Sequence, residues 1–489
     1  MSIKKNIKKL FAVLLAFVMV GAAIACGKGN NTSGTTGTGT GVPAAFDTDE
    51  PELDLPDIDL KGFKMTILRS STYFTENGIW SDDQLTGDKV SEAVYRRNAS
   101  IEETYQCEIA LLPSNSYHPS QEIPRYILSG DNLVDVVVDG GAEIVSQLEN
   151  FYDLNKLDYF DFSKPWWNLA FNEGVSLCGK LYLTVGSYML AARQHIFQVM
   201  FDMEVAKEIG IEPASLYKLV DDNSWTLEIM TRYAKTANKD LNGDQIMSAD
   251  DRYGLLGQVY DNWTLALGAG LHTVEKDKDD MPTVVINSDR NNTIVNTILK
   301  LTGDYGTTLF AERMTGVDDV WAKLNQLSVA DGQWLFLCGA IVDPMRSKLD
   351  DYGILPSPKL DETQTRYYHD ASLGNSPTTA VPVTAKDADK VSYILEVMSY
   401  KSYKDVLPVF YQSYLDQKLA RDEDSVRMLR LIHDSLYYDV GAMFNWGGMH
   451  AVIATMTDHS LLASQYASIA EKIVNEMNST LDEIMESSN

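Results

Sequence analysis

The chain has four cysteines in 489 residues, and no two of them form a C-x-x-C pair. Cys107, Cys178 and Cys338 are far apart, each in an apolar context. Neither a disulfide framework nor a zinc site is expected of them, and buried thiols are the simpler reading. Enzyme signatures are missing as well. No G-x-S-x-G elbow, phosphate-binding loop or H-E-x-x-H pair occurs, and the seven histidines form no ligand-spaced cluster. Positive charge is scarce: 41 lysines and arginines stand against 69 aspartates and glutamates, a formal −28. That balance argues against nucleic acid and polyanions as main partners, and suits a solvated acidic surface. Beyond the amino-terminal segment, no apolar run reaches the ~20 residues that a membrane-spanning helix needs.

What is present begins at the amino end. Lys4, Lys5, Lys8 and Lys9 precede an apolar run from Leu10 to Val20, and Ala23-Ile24-Ala25-Cys26-Gly27 follows. The series resembles a bacterial lipoprotein signal. In that reading the peptide is cut before Cys26, Cys26 carries the lipid, and residues 1–25 are an address outside the fold. Ala23 departs from the pattern, since leucine is commonest there. An ordinary secretory signal or an uncleaved anchor is the alternative. Residues 26–60 then comprise the anchor cysteine and a linker. Thr32 to Gly41 is almost wholly Ser, Thr and Gly, a composition that forms no core and stays flexible. From Cys26 to Asp59 a random coil spans roughly 30 Å. The expected location is the extracellular face of the cell membrane, held by lipid alone.

The body reads as strands alternating with helices. Strands are expected at Phe63–Leu68, at Cys107–Leu112 (stopped by Pro113), and at Val134–Val138, ended by Asp139-Gly140-Gly141. Val90–Tyr105 has helical period, with Asp88 as N-cap. Leu181–Val185, Ile196–Phe201, Trp334–Val342 and Tyr352–Leu355 are strand-like. Thr226–Thr236, Asp387–Tyr400, Ser425–Tyr437 and Leu461–Met485 are helical. The near-continuous valines at 134–138 imply a sheet covered on both faces, and strand–helix–strand order implies parallel pairing. Ligands of such sheets sit beyond the carboxyl ends of the strands. Ser70 to Trp80 and Asp139 to Gly141 are therefore expected near any binding site.

Four stretches carry a resemblance. They are Asp88-Lys89-Val90-Ser91-Glu92-Ala93-Val94-Tyr95-Arg96-Arg97-Asn98, Gly179-Lys180-Leu181-Tyr182, Tyr352-Gly353-Ile354-Leu355-Pro356-Ser357-Pro358-Lys359, and Ala380-Val381-Pro382-Val383-Thr384. In this order the chain resembles the extracellular solute-binding lipoproteins of ABC importers, the large carbohydrate-binding type of Gram-positive bacteria. The stretch from Asp88 resembles that group's first helix. The one from Gly179 resembles its crossing into the second lobe, and the one from Tyr352 its crossing back. The stretch from Ala380 resembles the strand–helix pair after the return. The resemblance implies a two-lobed α/β fold of the periplasmic-binding-protein type, with a ligand cleft between the lobes. Residues 61–187 and 354–405 would form lobe 1, and residues 188–353 and 406–489 lobe 2. It also implies a monomer that captures a sugar without turning it over and delivers it to a membrane permease. A secreted glycoside-active enzyme, or a binder or sensor of another solute such as a peptide, is the alternative.

A sugar offers apolar C–H faces and a rim of hydroxyls, so its binder wants flat aromatic rings beside polar side chains. Candidates are Trp80, Asp139, Trp166, Trp167, Tyr188, Arg193 and Trp446; the alternative for the aromatics is the core. One local motif is sharper. Asp240, Asn242 and Asp244 stand at positions one, three and five of a twelve-residue stretch, Ile246 offers a carbonyl at seven, and Asp251 closes it. The stretch resembles a calcium loop, so a structural Ca²⁺ is expected there. Gln245 stands where glycine is usual, and Asp251 where glutamate is. An acidic surface turn on Asn242-Gly243 is the alternative.

Overall fold

The computed structural model describes residues 52–71, 78–81, 88–194, 196–314, 319–340, 345, 347–371, 376–416, 419–457 and 461–486. The leader, Cys26 and the Ser/Thr/Gly linker lie outside these residues, as do residues 72–77 of the stretch after the first strand.

The strands are β1 (Lys64–Ser70), β2 (Glu108–Ser114), β3 (Val136–Gly140), β4 (Gln198–Asp202), β5 (Tyr253–Gly257), β6 (Val274–Lys276), β7 (Pro282–Val284), β8 (Thr308–Phe310), β9 (Trp334–Gly339), β10 (Tyr352–Leu355) and β11 (Pro377–Ala380). Two sheets carry the fold. The first has the order β11-β3-β1-β2 and the second β10-β4-β9-β5-β8; β6 and β7 form a separate hairpin. In the first sheet β1 runs parallel to both β2 and β3. All five residues of β3 are buried, as a continuous apolar run inside a covered sheet requires. The helix Lys89–Tyr105 links β1 to β2. Asp88 caps it, accepting from the backbone N–H groups of Val90 and Ser91.

Three local expectations change. Pro113 does not stop β2 but lies inside it, paired with Arg69. β2 is the edge of its sheet, where a missing N–H costs no ladder bond. Leu181–Val185 is buried but is no strand. Its contacts are a single bridge, Thr184 with Thr379, and bonds to the 153–154 turn, Leu181 N–H donating to Asp153 Oδ1 and Leu181 O accepting from Leu154 N–H. Apolar residues in a packed core segment produce the same pattern as a short strand.

The third change concerns the return crossing. Tyr352–Leu355 is the edge strand of the second sheet, antiparallel to β4, with Tyr352 opposite Asp202. The boundary expected between 353 and 354 thus falls inside this strand. The chain stays with the second sheet at least to Lys359, whose backbone exchanges hydrogen bonds with Trp225 and Leu227. It rejoins the first sheet at Pro377, where β11 adds antiparallel to β3. The segment after 406 is also divided. The helix Leu407–Asp416 packs against the helix Lys89–Tyr105 near the first sheet, while Glu423–Asp434 packs against β10 of the second.

Candidate functional site

Strand register shows where the two sheets meet. Pro377, the first residue of β11, lies opposite Gly140, the last of β3. Gln198, the first of β4, lies opposite Gly339, the last of β9, and Val199 opposite Leu355, the last of β10. The outgoing and returning segments are joined by single bridges, Ile196 with Ala371 and Thr184 with Thr379. The carboxyl ends of β3, β9 and β10 therefore open toward the place where the chain passes between sheets. Ligands of α/β sheets bind at such ends. The candidate site is the cleft whose walls they form.

On the first wall, Asp139 is wholly buried at the end of β3. Its carboxylate accepts from Ser120 N–H and Oγ–H, from Gly140 N–H, and faces His118 Nδ1 at 3.1 Å. It thus anchors the 118–120 turn instead of presenting a free carboxylate. His118 Nε2 lies 3.6 Å from Glu143 Oε1. Tyr117 is half exposed beyond the end of β2, edge-on to the His118 ring at 4.8 Å. Hydroxyls line the same end: Ser70 Oγ donates to Ser116 O, and Ser71 Oγ to Ser114 O.

On the second wall, Phe197 precedes β4 and Tyr260 follows β5, with ring centroids 5.3 Å apart. Tyr260 Oη donates to the buried Asp370 carboxylate at 3.0 Å. Burial pushes the Asp370 pKa up to about 7, and does the same to Asp261, which accepts from Gln258 N–H. Sequence reasoning missed Tyr117, Phe197 and Tyr260. The strand-end rule that selected Asp139 also reaches Tyr117; Phe197 lies at the amino end of β4, beside the carboxyl end of β9 only because the two strands are antiparallel. Tyr260 needed β5, whose sequence YGLLG hides its period behind two glycines. Gly254 has no room for a side chain, because a Cβ there would collide with the backbone of Ala234.

Most of the aromatics expected at the ligand lie elsewhere. Trp166 and Trp167 are buried, and both indole N–H groups donate to one carboxylate, Glu396, at 2.7 and 2.8 Å. Their rings pack edge-on against Phe160, Tyr188 and Tyr400. Tyr188 is buried on the outgoing crossing, its Oη bonded to Thr379 Oγ1 at 3.2 Å. Trp446 is buried, donates to Thr480 Oγ1 at 3.0 Å and stacks on Phe444. Arg193 is partly buried at the crossing and donates to Tyr411 Oη at 3.1 Å. Trp80 is partly buried in the segment after β1. A loop-like sequence around a tryptophan suggests exposure, but an indole carries one N–H that a buried partner satisfies.

The loop Asp240–Asp251 is folded on its own amides. Asp240 accepts from Gly243 and Gln245 N–H, Asn242 from Asp244 N–H, and Asp244 from Ile246 N–H. The amides of Leu241 and Ser248 hold the Asp251 carboxyl below its usual range. Gln245 takes a left-handed φ of 67°, the conformation glycine supplies at that place. Among the described residues no three His, Cys, Asp or Glu side chains are grouped to hold a metal.

No protein-family model and no curated protein matches the sequence. Solved structures do. An ABC substrate-binding protein from Listeria monocytogenes in complex with cycloalternan is 14% identical, with 85% of this chain and 100% of that one covered at a TM-score of 0.52. The sugar-binding protein MalE from Xanthomonas citri is 12% identical, covering 87% and 100% at 0.54. The chain has the two-lobed α/β fold of sugar-binding ABC substrate-binding proteins. A sugar transporter from Rhizobium etli in an open conformation, 13% identical over 84% of this chain and 99% of its own at 0.54, shares the same substrate-binding-protein fold.

The buried Glu396 gives this fold a measurable pH dependence. Burial raises its pKa from 4.5 to about 7, against the pull of the two indoles and of Asp161 N–H. An acid whose folded pKa lies above its unfolded one favours the protonated folded state. Its stabilising contribution is complete below about 4.5 and is lost as pH rises through about 7. Thermal melts should therefore fall more steeply between pH 5 and 8 for the wild type than for Glu396→Gln. Tryptophan fluorescence should titrate with the same midpoint in the wild type only. Parallel curves for the two proteins would assign the titration to other groups.

Proposed function

We propose that this chain is the extracellular solute-binding component of an ABC importer and captures a carbohydrate, an oligosaccharide, between its lobes. One observation carries the reading. Both sheets open their carboxyl ends onto one crossing region, and there Tyr117 on one wall and the Phe197–Tyr260 pair on the other stand beside hydroxyls and carboxylates. Rings for the apolar faces of a pyranose, with polar groups for its rim, are what such a solute requires. The sugar-binding proteins that share this fold support the same solute class. The reading is of a monomer that binds without turnover. Hinge closure buries the solute and brings both lobes into one surface for the permease. A lipid on Cys26 keeps the protein near that permease and raises its local concentration there. The loop Asp240–Asp251 takes one structural Ca²⁺ away from the cleft, a reading supported by the ligand spacing and by the left-handed Gln245.

A thermal-shift and calorimetry screen against mono- and oligosaccharides tests the solute class. A ligand at 100 times its Kd should stabilise the protein by about 2.7 kcal/mol. Tyr117→Ala should weaken binding by about fivefold, on the order of the 1 kcal/mol an aromatic contact supplies, with the unliganded melt unchanged. Saturable binding of peptides alone, or release of reducing sugar, overturns the reading.

The anchor is tested by Cys26→Ala in a Gram-positive host. The variant should appear in the medium; membrane retention equal to wild type rules out lipidation at Cys26.

For the loop, millimolar calcium should raise the melting temperature relative to chelator without being needed for sugar binding, since extracellular sites work at ~10⁻⁴–10⁻³ M. Asp240→Ala with Asp244→Ala should abolish that rise. A wild-type melt that does not respond up to ~10 mM, well above that range, leaves the loop an acidic turn.

A further inference from the structure

Arg97 is a buried guanidinium on the helix Lys89–Tyr105, and all five of its N–H groups point at neutral oxygens. Nε donates to Asn98 Oδ1 at 2.9 Å. Nη1 donates to Gly78 O at 3.0 Å and Ser402 Oγ at 2.9 Å. Nη2 donates to Ile79 O at 2.8 Å and Asn98 Oδ1 at 2.7 Å. Burial lowers its pKa to about 9, so the group stays cationic at neutral pH. Burying a charge without an opposite charge is costly, and an apolar side chain would fill the same space without that cost. The arrangement calls for another reason.

Two features supply it. Ser402 opens a single π-helical turn, Ser402–Val406, set between the helices Ala388–Lys401 and Leu407–Asp416. Such turns are frequent at functional sites. The two carbonyls gripped by the fork, at Gly78 and Ile79, lie between β1 and the helix Lys89–Tyr105, and β1 runs parallel to β3, so its carboxyl end is on the cleft side of the sheet. Gly78 has a φ of 85° and sits directly on the outgoing crossing. A Cβ there would lie 2.7 Å from Tyr188 O and 2.5 Å from Leu190 Cγ. The next residue but one is Trp80.

We propose that Arg97 is a positioning residue for the solute cleft: its fork fixes Gly78–Trp80 against the crossing segment Tyr188–Leu190 and so sets the affinity of the first lobe for its ligand. The proposal rests on the reading of that cleft as a carbohydrate site. A planar fork reaches two successive carbonyls and a hydroxyl at once, which an ammonium on a flexible stem does not. Lysine at 97 keeps the charge and loses the grip.

The test uses Arg97→Lys, Arg97→Met and Gly78→Ala in the full mature chain. Hydrogen exchange of the 78–81 amides is measured without sugar, and Kd by calorimetry with the best sugar of the screen. Arg97→Lys should speed exchange at 78–81 by about tenfold or more while leaving the helix Leu462–Glu486 unchanged. It should also weaken sugar binding by about tenfold at a temperature where the variant is fully folded. Gly78→Ala, which pushes the segment off the crossing with Arg97 intact, should reproduce both effects and covers the case in which Arg97→Met does not fold. A merely structural Arg97 lowers the melting temperature and leaves Kd at the wild-type value; that result overturns the proposal, as does unchanged exchange at 78–81. If the wild type binds no sugar, the carbohydrate reading fails, and the exchange comparison alone decides whether Arg97 holds the segment.

Discussion

One polar face of the helix Ala388–Lys401 holds the chain's passage between sheets together. Glu396 takes the indole N–H groups of Trp166 and Trp167 and the backbone N–H of Asp161. Three residues on, Ser399 accepts from Ser187 N–H and donates to Trp166 O. Three further, Ser402 receives Arg97. Positions three apart share a helix face, so a single stripe fastens the outgoing segment, the start of the crossing and the segment after β1. This helix follows β11, the strand that the returning chain adds to the first sheet. The outgoing and returning passages are thus locked to each other at their first-sheet ends. Glu396, Ser399, Ser402 and Arg97 are all buried, and a buried polar group without a partner is destabilising. The stripe is therefore a strong constraint on how the crossing can be built.

The rest of the cleft depends on that lock. Gly186 lies so close to Ser399, Tyr188 and Trp167 that a Cβ would overlap all three. Tyr188 then reaches Thr379 on β11, and two residues before the start of β4 Ile196 bridges Ala371. The aromatic cluster beneath the crossing is a support, not a binding platform. What remains open to a solute lies at the ends of the strands, where Tyr117 is exposed and Tyr260 partly so, the buried Phe197 backs the Tyr260 ring, and Asp139 and Asp370 fix the neighbouring side chains.

The legible parts of this chain were those whose signal is local. The valines of β3, the Asp88 cap, the helix Ala388–Lys401 and the 25-residue helix Leu462–Glu486 all announce themselves within a few turns or strand lengths. Their order pointed to a parallel α/β sheet, and the resemblance to solute-binding lipoproteins implied the two lobes. The parts that were not legible depend on partners far away. Nothing near Trp166 or Trp167 indicates a carboxylate 230 and 229 residues later. β5 is short and glycine-rich because a helix backbone presses on it, and that pressure is invisible until the sheet exists. Asp139 was found at the right strand end, but its carboxylate is occupied by Ser120 and His118, which only the fold brings there. The end of the second lobe was read too early because β10 is a short apolar strand wherever it pairs.

The interrupted make-up of the first sheet also orders events in time. β1, β2 and β3 are complete once residue 140 has been made, but the edge of β3 stays unpaired until residue 380 supplies β11. The strands of the second sheet all lie between 198 and 355, so they are available sooner. A chain made from its amino end therefore closes its later lobe first. Meanwhile the edge Val137–Gly140 waits as an open template, the kind of surface that recruits foreign strands. Protection of the nascent chain over that interval is imposed by topology, whatever the finished protein binds.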